Sequence, residues 1–159
     1  MPPDTEEKQK ALGGFFGAQG APPAAVGKVP GLVKAIGEKY SGISSWGILG
    51  FCWGGKVVSV TCSMDSSLFS AGAQCHPAMV DPTEAPGIKI PMLMIASGDE
   101  DAETVKAFEA GLTGPKQVER FDDQIHGFMT ARGDLEDEKV KKEFERGYKT
   151  VLNFFAKYL

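Results

Sequence analysis

The sequence predicts an α/β fold of three layers, in which helices cover both faces of a parallel β-sheet. Short apolar runs of strand length alternate along the chain with segments whose apolar residues recur at helical spacing. The strand-like runs are apolar throughout rather than alternating, which is typical of strands buried on both faces. Right-handed crossovers bring the C-terminal ends of such strands to one edge of the sheet, where ligands bind in folds of this kind.

The individual elements follow from these patterns. Strands are predicted over 44–51, 69–74, 90–96 and 117–121, and helices over 30–40, 56–63, 101–112 and 137–158. The last helix has an apolar stripe of Val140, Phe144, Tyr148, Val151, Leu152 and Phe155. A short helix is predicted over 5–12, capped by Asp4 or Thr5, while the rest of the Gly- and Pro-rich residues 1–31 read as an irregular connection. We predict a single domain over residues 1–159.

Composition narrows the class of protein. Hydrophobic residues make up 42% and charged residues 24% of the 159 residues, which excludes disordered and collagen-like chains. A formal net charge of −4 gives no electrostatic reason to expect nucleic acid or an anionic membrane as a partner. No apolar run approaches the roughly 18 residues of a membrane span. The polar start and the odd count of three cysteines predict a reducing, cytoplasmic location.

The motif that carries chemistry is Gly50-Phe51-Cys52-Trp53-Gly54, between a predicted strand and a predicted helix. It matches the nucleophile elbow of strand–turn–helix proteins, with cysteine in place of serine. The nucleophile of an elbow lies on a tight, strained turn, so side chains at the two flanking glycines are expected to collide with backbone. The turn would direct the sulfur out of the sheet edge. It would also place the backbone N–H of Trp53 at a helix start, where it can stabilise an oxyanion.

The partners of such a nucleophile follow it in the order acid, then histidine. Asp99 follows the third strand and His126 lies in the loop after the fourth, so the chain has this order. His126 would hold Cys52 as a thiolate, and Asp99 would orient the imidazole. Glu100 and Asp101 are rivals for the role of acid, because a loop shift of one residue exchanges them. Asp101 is better suited to capping the helix that follows.

The remaining candidate residues have structural alternatives. His76 ends the second strand and either lines a pocket with Phe51 and Phe128 or simply packs or caps. Cys62 and Cys75 are expected to be structural. We expect no metal, because two histidines and scattered carboxylates do not form a ligand set, and no other cofactor is implied.

These motifs resemble the dienelactone hydrolase family of α/β-hydrolases. The resemblance covers essentially the whole chain and rests on 50–56, on the strand with its acid at 91–99 and on His126-Gly127-Phe128. The segments 73–77 and 146–149 look like the fungal members. The resemblance implies Cys52 as nucleophile, Asp99 as acid and His126 as base. It also implies a small carboxylic ester or lactone as substrate.

The chain departs from this family at its start. Family members begin with several strands ahead of the segment seen here, and those strands supply a second oxyanion donor, a glutamate and an arginine that cannot be assigned in this chain. We therefore expect a partial sheet with an exposed edge, and either self-association through that edge or weak activity alone. Two alternatives follow: a non-catalytic structural or interaction domain, and, with less support, a thiol-redox protein acting through Cys52.

Overall fold

The structure is a computed structural model that describes residues 4–64 and 68–159. It contains two compact units, residues 1–41 and residues 42–159. The first unit consists of three helices: α1 (Glu6–Phe16), α2 (Pro22–Val26) and α3 (Val29–Lys39). Within the described residues, no helix is both long enough and apolar enough to cross a membrane.

The irregular connection predicted after the short helix is wrong, because the end of α1, the whole of α2 and the start of α3 occupy most of residues 13–31. Thr5 caps α1 as predicted, accepting a hydrogen bond from the backbone N–H of Lys8. The helix then continues through the adjacent glycines at 13 and 14, each of which costs about 1 kcal/mol relative to alanine. Prolines at 22 and 23 lie in the first turn of α2, where their missing N–H groups leave no hydrogen bond unmade.

The second unit follows the predicted alternation of strands and helices. Its elements are β1 (Gly47–Phe51), α4 (Trp53–Ser63), β2 (Ala71–Cys75), a 3-10 helix (Pro82–Gly87), β3 (Met92–Ser97), α5 (Ala102–Gly111), β4 (Lys116–Phe121) and α6 (Glu138–Tyr158). The four strands form one parallel sheet in the order β1-β2-β3-β4. The α/β fold predicted from the sequence is therefore confirmed.

Two apolar clusters fill the space between the sheet and its helices. Val58 of α4 and Phe108 of α5 pack on one face of β3, against Met92 and Met94. Val151 and Phe154 of α6 pack on the opposite face, against Leu93 and Ile95. The two faces of a single strand thus supply both cores, which explains why β3 reads as a continuous apolar run.

The α6 stripe is as predicted except at one position. Leu152 is 69% exposed, whereas Phe154 is 3% exposed and enters the core. Both residues lie near the margin of the apolar face, and helical spacing alone does not decide which margin contacts the sheet.

Candidate active site

Cys52 lies on the turn between β1 and α4 in a conformation that few residues other than glycine adopt. Its backbone φ is 51° and its ψ is −118°. Such strain costs about 1–3 kcal/mol and persists only where surrounding structure holds it. Here the Cys52 N–H donates to the carbonyl of Cys75 at 3.1 Å, and the Cys52 carbonyl accepts from the N–H groups of Gly55 and Ala78. These hydrogen bonds hold the turn against the end of β2 and the residues that follow it.

The two glycines that flank the cysteine have different roles. A Cβ atom on Gly50 would lie 2.1 Å from the carbonyl oxygen of Gly54, so only glycine fits at position 50. A Cβ atom on Gly54 would meet no atom within 4 Å. The expectation that both flanking glycines avoid a collision is therefore correct for Gly50 and wrong for Gly54, because the side-chain direction at position 54 points into open space.

The helix that starts at Trp53 is anchored through a partly buried ion pair. Lys56 of α4 contacts the carboxylate of Glu84 in the 3-10 helix, and both side chains are 14% exposed. Ser59 donates a 2.6 Å hydrogen bond to the same carboxylate. These contacts hold the first turns of α4, so the backbone N–H of Trp53 keeps a defined position beside Cys52.

His126 lies half-buried in the loop after β4, and its ring contacts a carboxylate. Its Nδ1 atom lies 2.7 Å from Oε1 of Glu100, whose side chain is 6% exposed. The second oxygen of Glu100 accepts the backbone N–H of Ser97. A carboxylate at Nδ1 assigns the proton of a neutral imidazole to that nitrogen and leaves Nε2 as the basic atom. Gly127, with a φ of 91°, lets the chain turn immediately after His126.

The three acids after β3 have separate positions. Asp99, the predicted acid, is exposed and accepts the backbone N–H of His126 at 2.7 Å. The structure thus places Glu100, rather than Asp99, on the imidazole ring. Asp101 caps α5 by accepting from the N–H and the hydroxyl of Thr104, as its alternative role predicted, and these hydrogen bonds lower the pKa of Asp101.

His76 is completely buried beside His126. Their ring centroids are 5.1 Å apart with the planes at 69°, and the rings of Phe51 and Phe128 lie 5.8 and 6.0 Å from the His76 ring. Burial, aided by the charge of His126, lowers the pKa of His76 to about 4. Phe128 is 0% exposed, so it lies behind the histidines instead of lining an open pocket.

A cavity of about 450 Å³ opens beside His126. Its walls are residues 77–80 after β2, the three acids 99–101, Thr104 and His126. The candidate pocket residues Phe51, His76 and Phe128 are not among the residues that line this cavity. No motif marks residues 77–80 as part of this cavity, although their position directly after a strand at the C-terminal edge of the sheet is a usable signal.

The three thiols differ in their surroundings. Burial raises the pKa of Cys62 and of Cys75 to about 12, so both remain protonated near neutral pH. Cys52 is half-buried, and none of the three forms a disulfide. Across the described part of the chain, no three His, Cys, Asp or Glu side chains group as metal ligands would.

An elbow after β1, an acid after β3 and a histidine after β4, all at one edge of a parallel sheet, define the α/β-hydrolase class. Within that class the chain belongs to the dienelactone hydrolase family, whose model matches residues 4–159.

Individual relatives agree with this family. An uncharacterized AIM2 family protein of Schizosaccharomyces pombe is 35% identical over 161 residues, covering 98% of this chain and 64% of its own length. A hydrolase of Aspergillus violaceofuscus, pyvD, is 28% identical over 71% of this chain and 47% of its own. Among solved structures, a dienelactone hydrolase-like promiscuous phosphotriesterase from metagenomic libraries superimposes with a TM-score of 0.65 at 16% identity, covering 98% of this chain and 69% of that one. The chain thus spans about half to two thirds of the length of these curated relatives.

Proposed function

We propose that this chain carries the catalytic site of a hydrolase for small carboxylic esters or lactones. Cys52 is the nucleophile, His126 the general base and acid, and Glu100 the group that orients the imidazole. The observation that carries the proposal is the 2.7 Å contact between Nδ1 of His126 and Glu100, at the same sheet edge as the strained Cys52 turn. A cytoplasmic location belongs to the proposal, because three free cysteines without a disulfide are typical of a reducing compartment.

The reaction would proceed in two halves through a thioester. The Cys52 thiolate attacks the carbonyl carbon, and the backbone N–H of Trp53 stabilises the oxyanion. The C–O bond then breaks, and the alkoxide leaves with a proton from the His126 imidazolium. In the second half, Nε2 of His126 takes a proton from water, and the resulting hydroxide attacks the thioester. Cleavage of the C–S bond releases the acid and restores the thiolate.

The test is the pre-steady-state release of nitrophenol from p-nitrophenyl acetate. We expect a burst equal to the enzyme concentration, absent in C52A and retained in C62A, which removes a buried thiol of high pKa. A folded wild type that shows no burst, or a burst that survives in C52A, would contradict the proposal. Reversible oxidation of Cys52 without ester turnover would support the redox alternative instead.

A second candidate function is a structural domain that associates with a second copy of itself. The observation that favours it is β1, which pairs with β2 on one side and carries the 39% exposed Leu49. Unpaired edge strands are templates for pairing with another chain. Concentration-dependent association together with a lack of any burst would favour this candidate over the hydrolase.

A further inference from the structure

We propose that His76 is a positioning residue for His126: its flat, buried ring packs on the His126 imidazole and keeps it oriented on Glu100. The inference rests on the proposed function only where it makes His126 the catalytic base. The packing itself is testable without any substrate.

The first argument is the backbone of His76. Its φ is 36°, and the only other described residues besides glycine with positive φ are Cys52 and Met79, at the same end of the sheet. The N–H of His76 donates to the carbonyl of Ile95 at 2.6 Å, which holds the strained residue on β3. Strain of this kind gathers at functional sites, where the surrounding structure fixes a particular side-chain direction.

The second argument is the chemistry of the ring. His76 is 0% exposed, and neither ring nitrogen has a hydrogen-bond partner among the residues that the structure describes. A buried polar group without a partner costs about 1–3 kcal/mol, so an apolar residue would be more stable here if packing density were the only need. Histidine meets a different need, because it combines a flat ring, kept neutral by burial, with a tolerance of the positive φ at position 76 that phenylalanine lacks.

The third argument is the arrangement around His126. Glu100 contacts its Nδ1 atom, while the His76 ring packs against its imidazole at a centroid distance of 5.1 Å and 69° between planes. Phe51 and Phe128 pack on His76 in turn. A hydrogen bond at one atom leaves a ring free to rotate about that contact, and the second, edge-on contact removes this freedom. The ring of His126 is thus held at two places.

The charges near His76 agree with this role. The groups whose charges act on it are His126, which lowers the pKa of His76, and Glu100, which raises it. Burial and the charge of His126 both disfavour a proton on His76, which keeps its pKa near 4. His126 can therefore become an imidazolium during the reaction without meeting a second positive charge.

The test compares two substitutions that separate the ring from its nitrogens. H76F retains a flat ring of similar size, while H76N removes the ring and suits the positive φ, since asparagine tolerates this conformation. We expect H76F to keep kcat within about threefold of wild type, because it retains a flat ring against His126, although the positive φ makes it less stable than wild type. H76N should lower kcat by about 10- to 100-fold with little change in KM, because it misplaces the base.

A spectroscopic measurement separates this inference from the proposed function. The chain has two histidines, so labelled imidazole nitrogens give two sets of NMR signals. We expect His126 to be a single tautomer with the proton on Nδ1 in wild type and H76F, and a mobile mixture of tautomers in H76N. The control V105A weakens the other apolar cluster and should leave the tautomer unchanged.

The outcomes are distinct. Wild-type tautomer and kcat in H76N would overturn the inference, and so would an H76F variant as impaired as H76N, because the nitrogens and not the ring would then matter. If H76N does not fold, H76L replaces it under the same expectations. Ring mobility in H76N, in a chain whose wild type hydrolyses no ester, would support the inference and contradict the proposed function.

Discussion

The Nδ1 atom of His126 lies 2.7 Å from Oε1 of Glu100, while the neighbouring Asp99 contacts the backbone N–H of the same histidine. Two adjacent acids therefore contact different parts of His126: one its ring, the other its backbone. Glu100 sets the direction of the ring and its tautomer. Asp99 holds the loop that carries it. Substitutions of Glu100 and of Asp99 should therefore have different effects on activity.

Replacing Glu100 by glutamine should impair the reaction far more than replacing Asp99 by asparagine. E100Q keeps the size of the side chain but removes the charge that stabilises the imidazolium, so we expect kcat to fall by about 10³- to 10⁴-fold. D99N retains an oxygen for the backbone N–H and should cost less than about tenfold. Steady-state hydrolysis of p-nitrophenyl acetate measures both, and equal losses in the two variants would refute the assignment.

Alkylation should discriminate the three thiols. Iodoacetamide at pH 7.5 should modify Cys52 and leave Cys62 and Cys75 unmodified, because burial holds the pKa of the latter two near 12. Mass spectrometry of the digested protein gives the site directly. Unfolding in urea should make all three reactive, which is the control for intrinsic reactivity. Preferential labelling of a buried cysteine in the native protein would contradict the burial described here.

The glycines of the elbow should respond differently to alanine. G50A forces a methyl group to within 2.1 Å of the Gly54 carbonyl, so we expect a loss of about 3 kcal/mol or more in the free energy of unfolding. G54A meets open space in the first turn of α4 and should change that free energy by no more than about 1 kcal/mol. Urea denaturation of both variants tests this pair. Equal stabilities would mean that the turn is not as tight as described.

The stability of the protein should decrease in mild acid partly because of His76. The pKa of His76 is about 4 in the folded protein and about 6.5 in the unfolded chain. Between these two values, the unfolded chain binds a proton at His76 and the folded protein does not. This lowers the free energy of unfolding by about 2 kcal/mol between pH 7 and pH 5. H76N lacks the group and should show a shallower decline. Parallel slopes for wild type and H76N in urea titrations would count against a neutral, buried His76.

The exposed edge strand should govern self-association. If β1 pairs with a second copy, L49K should favour the monomer, because a lysine on an edge strand opposes pairing with another chain. Size-exclusion chromatography over a hundredfold range of concentration measures this, with L152K on the exposed face of α6 as the matched control. A wild type that remains monomeric at every concentration would remove the case for association through this edge.

The sequence identifies two of the three candidate catalytic residues but not the third. Motif and chain order single out Cys52 and His126 as candidates, because each is the one residue of its type in its loop. The acid could not be singled out in this way, because residues 99, 100 and 101 are all acidic and the direction of each side chain depends on how the loop packs against Ser97 and the His126 backbone. The three-way ambiguity is resolved by backbone geometry that no pattern of residue types encodes.

The secondary structure was likewise predictable in some segments and not in others. The continuous apolar run of β3 and the periodic stripe of α6 determined their elements, since burial on two faces or on one leaves a direct mark on composition. The sequence of residues 1–31 predicts only the first part of α1 and none of α2, because glycine and proline favour turns in isolation yet are tolerated inside or at the start of a helix.

By itself, the sequence determined the parallel α/β sheet and the tight turn at Cys52, because strand burial and tight turns restrict which residues are allowed at each position. Only the tertiary structure decided that Glu100 meets the His126 ring, that Gly50 and not Gly54 is sterically required, and that His76 lies buried against His126. Those relationships join residues 4 to 50 positions apart in the chain. They depend on side-chain directions, which are set when strands and loops pack together.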